Sequence, residues 1–124
     1  MTPTRRDLIA AAWSASQWQF PSDYGLNQFA AAVADWECWP VVVGGETAGA
    51  LLVKGCEIHA CILPEYFRRW ASPSLYRRVI RRLRECGRLT TSVNCGHDAG
   101  HEFVERFGFK FCGVRGDAML YEMR

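Results

Sequence analysis

Residues 57–87 constrain the fold most strongly, because they read as strand, loop and helix in immediate succession. Glu57-Ile58-His59-Ala60-Cys61-Ile62 has strand character, and Leu63-Pro64-Glu65 ends it. Phe67-Arg68-Arg69-Trp70-Ala71 leads into Ser72-Pro73-Ser74-Leu75, a helix start with Ser as N-cap and Pro at the first helical position. The helix continues through Tyr76-Arg77-Arg78-Val79-Ile80-Arg81-Arg82-Leu83 and stops near Gly87. A strand that delivers a loop to a helix N-terminus is a common way to hold a phosphate.

That unit sits in a chain of 124 residues, enough for one domain with a single core. Apolar residues make up 49% of it, which excludes a disordered chain. The net charge of +2 is mild, but arginines crowd between Arg68 and Arg88, so the local charge suits an anionic ligand, a nucleic acid or an acidic protein surface. A solvated basic helix face accounts for the same composition. The six cysteines, Cys38, Cys56, Cys61, Cys86, Cys95 and Cys112, form no CxxC pair, and several lie in apolar runs. Reduced thiols in a cytosolic setting are therefore expected. Thr4-Arg5-Arg6-Asp7-Leu8-Ile9 resembles a twin-arginine export signal, but the apolar run behind it is short and dissolves into Ser14, Ser16 and Gln17. No stretch reaches the ~20 apolar residues of a membrane span.

Along the chain, residues 4–16 are expected to be helical, with Thr4 as cap and Leu8, Ile9, Ala12 and Trp13 as an apolar stripe. Phe20-Pro21-Ser22-Asp23 breaks this segment, and a second helix is expected over about 24–36. Trp36-Glu37-Cys38-Trp39-Pro40 reads as the turn into a sheet, its tryptophans as core and wall residues. Strands over 41–43, 47–53 and 57–62 form an antiparallel meander. A strand over 89–93 follows the arginine-rich helix and should lie parallel to 57–62 through a right-handed crossover. A helix over 98–107 ended by Gly108, then strands over 109–114 and 118–123, complete the order α-α-β-β-β-α-β-α-β-β.

This order resembles the GNAT superfamily of N-acetyltransferases. Three local signatures carry the resemblance: Ile62-Leu63-Pro64-Glu65-Tyr66 ending a central strand, a basic loop capping the next helix, and Phe103-Val104-Glu105-Arg106-Phe107-Gly108-Phe109 before a terminal hairpin. It covers about residues 41–123 and, more loosely, the two N-terminal helices. It implies a single α/β (α+β) domain over 1–124, with a mixed, mostly antiparallel sheet and one splayed parallel pair. The cleft between strands 57–62 and 89–93 would take the pantetheine arm of acetyl-CoA. The cofactor residues the resemblance implies are Ile62, Leu63, Arg68, Arg69, Trp70, Ser72, Ser74 and His97.

The sequence departs from the family at two places. The family's diphosphate loop runs Arg or Gln, two residues, Gly, one residue, Gly or Ala; here those positions hold Phe67, Trp70 and Ser72. Glycines there let backbone N–H groups close on the diphosphate. Two outcomes stay open: Arg68, Arg69, the Ser72 hydroxyl and the helix N-terminus hold the diphosphate, or Trp70 fills its space. The family's Tyr general acid and its Asn fall at Val104 and His97, so the proton-donor role is vacant unless His97, His101 or Cys95 supplies it. Glu57, His59 and Cys61 alternate onto one strand face, where family members often place a carboxylate base; Glu57 and His59 are the catalytic candidates, against a solvent-facing polar strand. Cys95, His97 and His101 have partial metal-ligand spacing but no evident fourth ligand, and no metal is expected.

Three functions follow as alternatives. The first is an N-acetyltransferase, weak or inactive because of the altered loop. The second is a noncatalytic binding or assembly module. Leu63-Pro64-Glu65 with Arg68-Arg69-Trp70 is similar to small GNAT-like proteins of tailed bacteriophages, which implies host cytoplasm or virion as the location and phage assembly components as partners. The third is binding of nucleic acid, or of an acidic protein, by the stripe Arg77, Arg81, Arg84 and Arg88, opposite Val79 and Leu83.

Overall fold

The computed structural model describes residues 2–124. Helix α1 (Arg5–Ser16) opens with a capping box. The Thr4 side chain accepts from the Asp7 N–H, and the Asp7 carboxylate accepts from the Thr4 N–H, worth about 1 kcal/mol. Helix α2 (Leu26–Ala32) is shorter than the apolar pattern predicts, because Val33 to Trp36 close it with turn-type hydrogen bonds.

Strand β1 (Glu37–Val43) begins earlier than expected, so Trp39 and Pro40 lie within a strand and not in a turn. Pro40 is tolerated because β1 is the first strand of the sheet and one of its sides has no ladder to donate to. Strands β2 (Glu46–Lys54) and β3 (Glu57–Ile62) extend the antiparallel meander. Helix α3 (Pro73–Cys86) carries the crossover to β4 (Leu89–Asn94), which runs parallel to β3. Helix α4 (Asp98–Phe107) and the hairpin β5 (Lys110–Arg115) and β6 (Ala118–Met123) finish a six-stranded sheet of order β1-β2-β3-β4-β6-β5. The architecture is the mixed, mostly antiparallel one that the element order implies.

Both faces of the sheet are covered, which explains why β2 is buried without interruption from Ala48 to Val53. Its residues divide by parity. Ala50 and Leu52 meet Leu8, Ala12, Phe29 and Val33 of α1 and the α2 segment. Leu51 and Val53 join Leu75 and Val79 of α3, Val104 of α4 and Leu89 and Val93 of β4.

The cysteines correct one expectation. Cys56, in the β2–β3 turn, and Cys86, the last residue of α3, are joined in a disulfide with Cα atoms 5.8 Å apart. Reduced thiols were expected because their separation of 30 residues belongs to no recognisable spacing; only the packing of α3 across the sheet brings the two together. Cys38, Cys61, Cys95 and Cys112 are free. No helix among the described residues is long and apolar enough to cross a membrane.

Candidate functional site: a groove between diverging strands

Strands β3 and β4 share one pair, Glu57 with Thr90, reinforced by a 2.9 Å hydrogen bond from the Thr90 N–H to the Cys56 carbonyl. Beyond it they no longer pair. The gap opens into a groove of about 750 Å³ lined by parts of both strands, α1, α2, α4 and the loop before α3. An unpaired strand edge in such a gap offers backbone N–H and C=O groups to an extended ligand.

Two of the sequence candidates line one wall together. Glu57 Oε2 lies 2.6 Å from His59 Nε2. The carboxylate can only accept, so Nε2 carries the hydrogen, and in the neutral ring Nδ1 then keeps the lone pair. The His59 ring packs 5.6 Å from that of Trp36. Cys61 lies on the same groove, but burial, with Cys38 beside it, pushes its thiol up to about 12, too high for a thiolate nucleophile. Ile62 lines the groove as a buried core residue, while Leu63 packs against the core and sends its N–H to Ala48 O.

The loop before α3 settles where Trp70 goes. It points into the core, 5% exposed, with its ring 4.2 Å from that of Phe103. Truncating such a Trp typically costs about 3–5 kcal/mol, more than one added hydrogen bond to a ligand returns, so packing governs this position. Trp70 therefore walls the groove and leaves it open. With Phe67, Arg68, Phe103 and Arg106 it also lines a second hollow of about 530 Å³ beside the α3 N-terminus, and these shared residues form a waist between the two.

Four arginines, Arg68, Arg69, Arg77 and Arg106, and no acidic residue line the second hollow among the described residues. Arg69 is held over the Tyr66 ring at 5.4 Å, and the Tyr66 hydroxyl donates to Glu46 Oε2 at 2.6 Å, which keeps that phenol protonated to higher pH. The helix terminus offers less. The Ser72 N–H bonds Trp70 O, Pro73 has no N–H, the Leu75 N–H bonds the Ser72 hydroxyl at 3.1 Å, and the Tyr76 N–H bonds Ser72 O. The Ser74 N–H alone remains of the donors a terminus can present to an anion. The Ser74 side chain is exposed and lines neither hollow.

On the α4 side, His97 lines the groove between the rings of Phe67 at 5.7 Å and Trp18 at 5.4 Å. Gly100 makes room for it, since a Cβ there would fall 2.5 Å from His97 Cδ2. Burial, aided by His101 nearby, lowers the His97 pKa and favours the neutral ring. Val104 is buried and lines the groove, and its side chain carries no proton to give. His101 is otherwise engaged, with Nδ1 2.9 Å from the Tyr121 hydroxyl and Nε2 3.3 Å from Cys95 O.

Other groove residues escaped sequence reading. Thr91, Ser92, Val93 and Asn94 of β4 all line it, so the period-2 alternation of that strand does not by itself single them out. Phe20, Tyr24 and Asp117 reach it from loops, where no periodicity marks them.

The arginines of α3 divide by partner. Arg78 lies 4.2 Å over the Trp39 ring, and Arg82 bonds Glu37 at 2.8 Å and Gly55 O at 2.9 Å. Arg88, expected on the helical stripe, lies beyond the Gly87 cap of α3 and pairs with Glu122 at 3.4 Å. Arg77, Arg81 and Arg84 are exposed and have no ion pair among the described residues.

No protein-family model matches the sequence, and no curated protein matches it. Solved structures do match. The ribosomal-protein-S18-alanine N-acetyltransferase of Escherichia coli superimposes with a TM-score of 0.65 at 18% identity, covering 99% of this chain and 90% of that one. The PaiA N-acetyltransferase of Thermoplasma acidophilum, solved with coenzyme A, has a TM-score of 0.62 at 15% identity, covering 94% and 90%. A GNAT family acetyltransferase of Elizabethkingia anophelis, solved with acetyl-CoA, has a TM-score of 0.63 at 11% identity, covering 99% and 92%. At such identities the likeness establishes the fold, and the fold is that of the GNAT acetyltransferases.

Proposed function

We propose that this GNAT-fold chain binds acetyl-CoA through its pantetheine arm and transfers the acetyl group slowly to a primary amine. The observation that carries the reading is the open groove between β3 and β4 with the Glu57–His59 pair on its wall. The bound thioester would supply the acetyl group. The unpaired edge of β3 suits the amide-rich arm, and Arg68, Arg69, Arg77 and Arg106 offer charge to the phosphates in place of the missing backbone cradle. Glu57 holds His59 in the tautomer whose Nδ1 can take the proton of the incoming amine as the new C–N bond forms and the C–S bond breaks. Val104 can give no proton to the departing thiolate, and His97 is kept neutral, so solvent must supply it and turnover should be low.

Calorimetric titration with acetyl-CoA tests the reading. Binding below about 1 mM, with His59→Gln and Glu57→Gln lowering turnover but not donor affinity, is the expected result. Absence of heat at millimolar acetyl-CoA would sink it.

A second reading is favoured by exposed, unpaired Arg77, Arg81 and Arg84: a noncatalytic module that docks an acidic protein or nucleic acid, such as a phage assembly component. Retention that does not weaken with added salt would argue against it.

A further inference from the structure

We infer that the groove selects primary ammonium ligands carrying an aromatic or bulky apolar group, which seats on a preformed aromatic wall beside the Glu57 carboxylate. The inference deepens the proposed function by naming its acceptor class, and it stands on the half of the groove away from the arginine loop.

The wall is built from Phe20, Tyr24, Phe29 and Trp36. Phe20 and Tyr24 stack with centroids 4.8 Å apart and planes 12° from parallel. Phe29 meets Phe20 edge-on at 6.1 Å. Trp13 backs all three from behind, at 5.5, 5.9 and 5.5 Å from Phe20, Tyr24 and Phe29. Trp36 continues the surface to His59. Rings locked by their neighbours lose little entropy when a ligand covers them. Phe20 remains 36% exposed, so the surface is accessible.

Charge completes the argument. Of the lining contributed by residues 15–62, Glu57 is the one acidic or basic side chain other than His59 among the described residues. The arginines that reach this groove, Arg68, Arg106 and Arg115, come from the loop before α3, from α4 and from the end of β5. An aromatic surface beside the Glu57 carboxylate attracts a cation through both the ring faces and the charge, and it rewards an apolar body on that cation; the other acidic side chains of the groove, Glu102 and Asp117, lie on the opposite half with the arginines. A carboxylate ligand on this wall would be repelled by Glu57, and a slender polyamine would leave the rings wet.

Titration of the full chain by intrinsic fluorescence or calorimetry, with no thioester present, tests this independently of donor binding. The probes are 2-phenylethylamine, the peptide amide Phe-Ala-Ala-NH₂, 3-phenylpropionate and 1,4-diaminobutane. One or both aromatic amines should bind at least about tenfold tighter than the last two probes. If only the peptide binds, the acceptor is a chain terminus; if only the free amine binds, it is a small molecule. Phe20→Ala, at an exposed position, should weaken binding about fivefold or more, and Glu57→Gln should erase the preference for amine over 2-phenylethanol. Trp36→Leu adds a larger loss, with circular dichroism as the control for folding. Equal affinity for diaminobutane, unchanged affinity in Phe20→Ala, or no saturation by either aromatic amine at millimolar concentration overturns the inference. Aromatic-amine binding without acetyl-CoA binding would retain it and remove the transferase reading.

Discussion

At the scale of single residues, two positions test how tightly the groove is framed. Gly49 sits at φ +149°, and a Cβ there would fall 2.1 Å from Cys61 O and 2.9 Å from Ile62 Cα. Both obstacles are backbone, so no side chain can yield. Gly49→Ala should cost about 2–4 kcal/mol and lower the thermal midpoint by roughly 10 °C. His97 predicts a pH dependence. Its folded pKa lies below the unfolded one, so the unfolded chain binds more protons between the two values. The contribution to stability is complete above the ordinary histidine range, near pH 6.5, and is lost as pH falls through the lowered folded value. Thermal melts between pH 7.5 and 5.5 should fall more steeply for the native chain than for His97→Asn. Equal slopes would mean that His97 is not the group responsible. By contrast, the Glu102–Arg106 pair joins two exposed side chains one helical turn apart and should add only about 0.3–0.5 kcal/mol.

At the scale of elements, α3 is pinned at both ends. At its start, Ser72 caps the Leu75 N–H that an anion would otherwise meet. Ser72→Gly should cost a few tenths of a kcal/mol in stability while freeing that donor, so acetyl-CoA affinity should rise. An unchanged or weaker affinity would argue that the phosphates do not reach the helix terminus. At its end, the Cys56–Cys86 disulfide closes a loop spanning 30 residues that contains β3, the arginine loop and α3. Chain-entropy reasoning assigns such a closure about 3–4 kcal/mol. Cys86→Ser should lower the denaturation midpoint accordingly, and the intact mass of the native chain under nonreducing conditions should be lower than after reduction by the mass of two hydrogen atoms.

At the scale of the whole molecule, the groove exists because the sheet pairs tightly everywhere except between β3 and β4. A ligand that bridges the two strands binds only the folded chain, so it should stabilise by mass action, by about 2.7 kcal/mol at one hundred times its dissociation constant. Saturating acetyl-CoA should therefore raise the thermal midpoint by several degrees, read by scanning fluorimetry. An unmoved midpoint would mean that acetyl-CoA does not bind the folded chain.

Much of this was legible in the chain itself. Strand alternation, the Thr4 and Ser72 caps and the Gly108 stop reveal element order, because these signals depend on neighbours three or four residues away, and the family resemblance that the order carries implies the splayed pair. Glu57 and His59 were found together for the same reason, being two residues apart on one strand. Tertiary structure decided what depends on long-range contact. It turned Trp70 from a residue that could block the groove into a core residue on Phe103, since burying an indole outweighs any loop preference. It drew Trp39 and Pro40 into an edge strand, joined Cys56 to Cys86, and gathered Phe20, Tyr24 and Trp36 from separate loops and turns onto one wall. None of these has a local spacing, so each became visible only when the sheet set the distances.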